Sequence, residues 1–325
     1  MERYLVTGAA GFIASVVAEK LLQQGAEVVG IDNMNNAYDF RMKEYRVAKL
    51  LEYPGFSFYK LDISDRTLLD DERLKNKEFK AVINLAARAG VRDSLKDPWV
   101  YVDTNTTGTL NLLEYCLKEG INKFLLASTS SIYGENAPLP TPENADSNHP
   151  LQSYAASKKG AEVLAHAYHY LHGLDISVVR YFTVYGPAGR PDMVMFRFVK
   201  WITEGDTVHL YGDGEQSRGF TYVDDIARGT IAALKPVGYE IFNLGGHEVI
   251  TINELIDILE NILDKKAQIE LHPRHPADML TNYADVSKAH EVLGWEPQVS
   301  LKEGVRKLVD WYLVERSWAK DIRTE

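Results

Sequence analysis

One stretch, residues 3–32, constrains the fold more than any other. It begins with a short apolar run, RYLVT, and passes through GAAGFIA into a helical pattern over residues 12–24 that Gly25 stops. A second apolar run, residues 27–31, ends in Asp32. Strand, glycine turn, helix, strand, acid is the order of a dinucleotide-binding unit. Glycines such as Gly8 and Gly11 let the backbone approach a pyrophosphate, and the helix N-terminus that follows stabilises its charge. The third small position holds Ala14, whose methyl asks for slightly looser packing of helix on strand. A carboxylate at the end of the second strand bonds both hydroxyls of a ribose and repels a 2′-phosphate, so Asp32 favours NAD over NADP.

The pattern repeats. Strands are expected over residues 56–60, 81–85, 123–128 and 175–181, with helices over 39–51, 66–74, 97–117 and 154–172 between them. Asp97-Pro98 should cap the third of these helices, and Gly120 should end it. Such alternation means a parallel sheet with helices on both faces, so the fold class is α/β, a Rossmann-type doubly wound parallel sheet. Ligands bind at the carboxyl ends of its strands, where Gly8, Asp32, Asp62, Ala86, Thr129 and Tyr181 all fall. Asp62 and Ile63 are expected at the adenine. Phe12, Ile13, Asn33, Asn36, Leu85, Ala87 and Asn105 complete the expected NAD contacts, together with Tyr154 and Lys158. Beyond residue 181 the alternation breaks down at FTVYGPAGRPDM. Residues 1–180, with 222–246 returning to the sheet, are therefore expected to bind the cofactor. Residues 181–325 are expected to form a smaller α/β domain for the substrate.

The chemistry is expected where the apolar residues 125–127 run into Ser128, Thr129, Ser130 and Ser131, and where SYAASKK opens the next helix. Tyr154 and Lys158 lie one turn apart on one helical face. An ammonium beside a phenol favours phenolate and lowers the phenol pKa toward working pH. With Thr129 sharing the same oxygen, the trio can take a proton from a secondary alcohol while a hydride leaves its carbon. Tyr45 and Lys49 repeat the spacing, but no strand ending in Ser or Thr precedes them, and they read as a solvated helix face.

Taken together, TGAAGFI, Asp32, STSSIYG, the Tyr154–Lys158 pair and RGFTYVDD resemble the extended short-chain dehydrogenase/reductase superfamily, in its NAD-dependent epimerase/dehydratase branch. The likeness covers nearly the whole chain. AGVRDS, YFTVYGP and GRPDM are similar, more narrowly, to UDP-glucuronate 4-epimerases. The resemblance implies a tightly held NAD, catalytic Thr129, Tyr154 and Lys158, and a nucleoside diphosphate sugar bound by the C-terminal domain. It also implies a homodimer built on a four-helix bundle from residues 99–117 and 154–172. The implied activity is 4-epimerisation of a UDP-sugar, foremost UDP-glucuronate to UDP-galacturonate, by transient C4 oxidation and hydride return to either face. By the same analogy Arg218 clamps the diphosphate, with a surface arginine as the alternative. Arg274 and Asp278 contact uridine or phosphate, although His275 stands where the family arginine usually does.

Neighbouring residues narrow the branch. Dehydratases of this superfamily carry an Asp-Glu pair after the strand-end Thr, and decarboxylases carry a Glu near there; this chain has Ser130 and Ser131. Hydroxyls suit a substrate carboxylate that a Glu would repel, and Thr183 can add another donor; otherwise they cap strand ends. Arg190 can pair with that carboxylate or with phosphate. Arg92 is open between a substrate contact and pairing with Asp93 or Asp97. Asn84 and Arg88 stand where relatives often have His and Gln. A UDP-glucose 4-epimerase, a decarboxylase or dehydratase, and a non-catalytic NAD-binding protein are the alternatives.

Composition sets outer bounds. A net charge of -10 argues against nucleic-acid or anionic-membrane binding. No apolar run approaches the length of about 18 residues that a membrane helix needs. The amino end runs straight into a strand, without signal-peptide anatomy. The single cysteine, Cys116, lies in an apolar helix pattern, reads as packed core and fits a cytoplasmic protein. His166, His169 and His172 share helical spacing, but no carboxylate or Cys completes a metal site, so they read as a polar helix face.

Overall fold

The computed structural model describes residues 1–246, 248–274 and 280–324. β1 (Arg3–Thr7) turns through Gly8 into α1 (Phe12–Gln23), and β2 (Glu27–Asp32), α2 (Arg41–Leu51), β3 (Phe56–Lys60) and β4 (Ala81–Asn84) follow. Next come α3 (Pro98–Tyr101) and α4 (Gly108–Glu119), joined without a break by the π-helical turn Val102–Thr107. Then come β5 (Lys123–Thr129), α5 (Ser153–His172), β6 (Asp175–Tyr181) and β7 (Thr183–Tyr185). The carboxyl-terminal part adds α6 (Val194–Glu204), β8 (Thr207–Tyr211), β9 (Ser217–Tyr222), α7 (Val223–Ala232) and β10 (Tyr239–Leu244). It ends with β11 (Val249–Thr251), α8 (Ile252–Leu263), β12 (Gln268–His272), β13 (Thr281–Asn282), α9 (Leu301–Val314) and α10 (Arg316–Ala319).

Seven strands form one sheet in the order β3, β2, β1, β4, β5, β6, β10, and every pairing is parallel. This is the expected Rossmann-type doubly wound α/β sheet. Strand order reverses between β1 and β4, which places the ligand crevice beyond their carboxyl ends. The strands are buried on both faces and so read as apolar runs; all seven residues of β5 are buried. One face packs Val17, Leu21 and Ile226 from α1 and α7, and the other packs Leu112, Ala161 and Ala165 from α4 and α5. A separate core around Phe196, Trp201, Leu255 and Tyr312 holds the carboxyl-terminal helices together. Each such side chain contributes on the order of 1.5–3 kcal/mol when removed from water. Two small sheets complete the fold: β9 pairs with β7, β11 and β13, and β8 pairs with β12.

Three local expectations change. Residues 66–74 do not form a helix; Asp65 caps a single 3-10 turn, Arg66–Asp70, and Asp71 is extended at ψ 117°. Too little of that segment is apolar and inward, Leu68 and Leu74 being its buried residues, to extend a helix over it. Asp97 makes no side-chain cap, because its backbone (φ -139°, ψ 84°) lies outside the usual capping geometry. Tyr45 is not solvated: its hydroxyl bonds Glu315 at 3.1 Å and accepts from Trp311 Nε1 at 3.1 Å, whereas Lys49 is exposed and paired with Glu52. Cys116 is fully buried, and burial pushes its thiol pKa up. Among the described residues no helix is long and apolar enough to cross a membrane.

Candidate active site

The crevice begins at the glycine turn. Gly8 has φ +68°, and a Cβ there would stand 2.7 Å from the Ala86 Cα, so only glycine fits between β1 and the end of β4. Gly11 N–H donates to the Gly8 carbonyl at 2.7 Å, closing the turn. No side chain caps α1 and no acid lies in its first turn. Its main-chain donors beside buried Phe12 and half-buried Ile13 are therefore suited to a pyrophosphate. Ala86 N–H bonds Thr7 Oγ1 at 3.1 Å, which fixes Leu85, Ala86 and the exposed Ala87 over the turn.

Two carboxylates lie at the carboxyl ends of β2 and β3. Buried Asp32 accepts from Met34 N–H at 2.8 Å and from Lys43 Nζ at 3.1 Å. Asn33 Nδ2 donates to Asp62 at 2.9 Å, tying β2 to β3, and the Ser64 N–H and hydroxyl hold the other oxygen at 2.9 and 2.7 Å. Burial works to raise Asp62, but these hydrogen bonds outweigh it and keep the carboxyl below its ordinary range. Ile63 is buried against Gly108, and Asn36 is exposed at the rim. This donor set, the cradle at Gly8 and the acids at two strand ends, fits a dinucleotide.

Two of the expected cofactor residues have their polar groups engaged within the protein. Tyr181 is buried with its hydroxyl 2.8 Å from Thr230 Oγ1, because its position in β6 turns the ring toward α7. Asn105 is 1 % exposed, and its amide is fully engaged. It accepts from Arg88 N–H at 2.8 Å and donates to Arg88 O at 3.0 Å and Ser157 Oγ at 2.9 Å. The π-helical turn brings it there, so Asn105 positions the loop after β4. Asn84 is buried in the same lattice, accepting from Thr7 Oγ1 at 2.8 Å and donating to Thr109 Oγ1 at 3.1 Å.

The reactive hydroxyls meet as expected. β5 delivers Thr129 and α5 delivers Tyr154, which share a hydrogen bond, and the Tyr101 ring braces Tyr154 edge-on at 6.2 Å. Thr129 Oγ1 donates to Ser131 Oγ at 3.2 Å, and Ser130 Oγ accepts from Asn282 Nδ2 at 2.9 Å, joining the strand end to β13. Burial raises the Tyr154 pKa, opposed by the Thr129 hydrogen bond and the positive charge of Arg190. The cation that favours the phenolate is thus Arg190, where the sequence pointed to Lys158. Burial instead drives Lys158 down to about 8, against the pull of Glu162 one turn on.

That displacement has a sign that can be tested. In the folded protein Lys158 loses its proton near 8, whereas its ordinary value is 10.5. Between those values the unfolded chain binds the extra proton, so stability rises with pH across the window, by about 3 kcal/mol in all, and below it the full cost remains. Lys158→Met removes the cost. Its advantage over the wild type in urea midpoint should shrink steadily from pH 8 to about 10.5; a gap independent of pH would reject the assignment.

Arginines gather on the other side. Arg190 is held by Asp192 at 2.5 Å, and its charge also reaches Tyr38. The Arg92 guanidinium lies 4.7 Å over the Tyr211 ring, while Asp93 pairs with Lys96. Arg218 donates to the carbonyls of Ser217 and Leu280 at 2.7 and 3.0 Å, in the strand that pairs with β11 and β13. Exposed Arg274 lies beside Gly212. Arg92, Arg218 and Arg274 therefore ring the 211–218 turn, and Thr183 lies half-buried on β7 next to β9. Asp278 and His275 lie outside the described residues.

Two site cations went unnoticed in the sequence. Lys43 bonds Asp32, and Arg46 donates to the carbonyls of Ala10, Ala188 and Gly189 at 2.7–3.1 Å. Their signal was available: Met42, Lys43, Arg46, Val47 and Leu50 share one helical face, so both cations sit on the apolar side of α2. The three helical histidines are where a polar face would put them, His166 and His169 against Tyr239 and His172 against Tyr168.

Comparison with known proteins agrees with this geometry. A model of the NAD dependent epimerase/dehydratase family matches residues 4–245. A UDP-glucuronate 4-epimerase of Thermodesulfobacterium geofontis is 55% identical over 312 residues, covering 96% of each chain. The crystal structure of a UDP-glucuronic acid 4-epimerase from Bacillus cereus, in complex with UDP-glucuronic acid and NAD, is similar with a TM-score of 0.89 and 37% identity. It covers 96% of this chain and 99% of that one. A UDP-glucose 4-epimerase from Thermotoga maritima, with UDP-glucose, gives a TM-score of 0.88 at 34% identity, covering 97% and 99%.

Proposed function

The chain belongs to the NAD-dependent epimerase/dehydratase family, and from that membership we propose that it interconverts UDP-glucuronate and UDP-galacturonate by epimerisation at C4. NAD, when bound, supplies the redox chemistry, taking a hydride from C4 and giving it back. The chain's own residues handle the proton and the geometry. Tyr154 takes the proton of the 4-hydroxyl and returns it, helped by its hydrogen bond to Thr129 and the charge of Arg190. Lys158, one turn along α5, positions the nicotinamide ribose. Gly8, Gly11 and the start of α1 hold the pyrophosphate, with Asp32 at the ribose and Asp62 at the adenine. Arg92, Arg218 and Arg274 hold the substrate diphosphate, so residues 181–325 serve chiefly as the sugar-nucleotide half.

The observation that carries the choice of sugar is the company Tyr154 keeps. Hydroxyls rather than carboxylates follow Thr129, and the half-buried guanidinium of Arg190 lies close enough for its charge to act on the phenol. A substrate carboxylate satisfies both. Holding it with Ser131, Thr183 and Arg190 also opposes loss of carbon dioxide from the 4-keto intermediate, a β-keto acid. Incubation of the NAD-loaded protein with UDP-glucuronate and, separately, UDP-glucose tests this, with products resolved by NMR. Conversion of UDP-glucose alone would replace the substrate. Arg190→Ala should cut the preference for UDP-glucuronate over UDP-glucose by about 10- to 100-fold, as expected for losing one charged hydrogen bond. An unchanged preference would remove Arg190 from carboxylate recognition.

We also propose that the protein is a cytoplasmic homodimer. Trp99, Val102 and Val163 project from the α3–α4 helix and α5 with 75%, 44% and 59% exposure, an apolar face suited to a four-helix bundle. Light scattering should give twice the chain mass, and Val163→Glu should return it to that of one chain. Cell fractionation tests the compartment.

A further inference from the structure

We propose that His209, Glu270 and His272 form a binding site for a divalent transition metal of the zinc class, on the substrate half and separate from the crevice. β8 and β12 run parallel, with Glu270 directly beside His209 and His272 beside Tyr211. Side chains of registered pairs share a face, and alternate residues of one strand do too, so all four project from the same side. His209 Nδ1 lies 2.9 Å from His272 Nε2, 3.8 Å from one oxygen of Glu270, and His272 Nε2 lies 3.5 Å from the other. Zinc bonds of about 2.0–2.1 Å at tetrahedral angles separate their donor atoms by about 3.3 Å. Each of these separations, with the carboxylate turning a different oxygen to each imidazole, is within about half an ångström of that value, and one donor atom from each residue lies within 4.8 Å of the others, well inside what side-chain rotation can close.

The donors are also held in place. The Trp201 ring meets His209 edge-on at 5.5 Å, and Tyr211 stacks on His272 at 5.1 Å. Without an ion, two imidazole nitrogens and a carboxylate must share the few protons available to them. One borderline cation satisfies all three lone pairs at once. Two histidines and one carboxylate leave a fourth position open to water, and a hollow of about 360 Å³ lined by His209 and Asp321 adjoins it. Lys200, on the same wall, has its ammonium turned away, onto the Ile322 carbonyl at 2.6 Å.

The ion would act as a clip. A two-stranded sheet is weak alone, and β12 ends two residues before Arg274. Fastening β12 to β8 fixes the strand that delivers that arginine to the Gly212 turn.

Tag-free enzyme, stripped with chelator and dialysed, should bind one equivalent of Zn²⁺ per chain by isothermal titration calorimetry, and its melting midpoint should rise with added zinc. Glu270→Gln should weaken binding about tenfold or more. The double variant His209→Ala/His272→Ala should lose both the heat of binding and the thermal shift, while His166→Ala keeps them. Circular dichroism of each metal-free variant separates lost binding from lost folding, and Glu270→Gln gives a reading even if the double variant is unfolded. A wild type that takes up no zinc, or a folded double variant that binds it equally well, overturns the site.

Discussion

Tyr154→Phe should lower turnover of UDP-glucuronate by about 10²- to 10⁴-fold, the range typical of a positioned proton-transfer group. The substitution deletes one oxygen and leaves the ring, so the edge-on contact with Tyr101 persists and the fold should not suffer. What is lost is the partner of Thr129 and the only oxygen through which Arg190 can act on the phenol. Binding of NAD and of UDP-glucuronate should survive within a few-fold, so the loss should fall on kcat. Tyr45→Phe is the matched control. It has the same spacing to a lysine, yet its hydroxyl serves Glu315 and Trp311, so turnover should not change. Product formation by ion-exchange chromatography decides the matter, and a Tyr154→Phe enzyme within tenfold of wild type would end its role as the acid/base.

Glu162→Gln should be strongly destabilising, although it lies outside the crevice. Glu162 on α5 and Arg180 on β6 are each 2% exposed and bonded through two contacts, at 2.9 and 2.8 Å. Arg180 also donates to Tyr133 Oη at 2.8 Å and to Glu143 O at 2.9 Å, so its position is over-determined. Removing one partner of a buried pair leaves an uncompensated charge and costs about 3–5 kcal/mol. For a chain of this size that is a fall in melting midpoint on the order of 10 °C. Replacing both, as Glu162→Leu with Arg180→Met, should recover much of the loss, because two apolar residues leave no bare charge. A Glu162→Gln protein that melts with the wild type would show the pair to be slack. Glu162 also raises the pKa of Lys158, so its loss should send that ammonium below its present value near 8.

Much of this was legible in the sequence. The parallel sheet followed from apolar runs alternating with helical patterns, and the glycine turn from the spacing of Gly8 and Gly11 between strand and helix. Strand 175–181 was placed to the residue, because Gly173 stops the helix before it and the period changes there. Tyr154 and Thr129 met because strand ends and helix starts converge at one edge of such a sheet. Other features depend on which way a side chain turns. Tyr181 sits at the correct strand end, but its hydroxyl goes to Thr230. Asn105 reaches the loop after β4 only because the helix widens by a π turn, which no periodicity announces. The cation acting on Tyr154 was assigned to the nearest lysine in sequence. Desolvation of that lysine, and the arrival of Arg190 from thirty-six residues away in the chain, are properties of the folded interior.

Arg46 carries a consequence for how this enzyme can vary. Its guanidinium grips main-chain oxygens of Ala10, Ala188 and Gly189, so it rivets the glycine turn after β1 to the loop after β7 through atoms every residue possesses. The two loops can be rewritten in their side chains without loosening that rivet. The arginine has no such latitude: a lysine offers one compact ammonium where a planar fork reaches three oxygens. Tolerance at this junction is thus lopsided, wide on the loops and narrow at a single residue of α2.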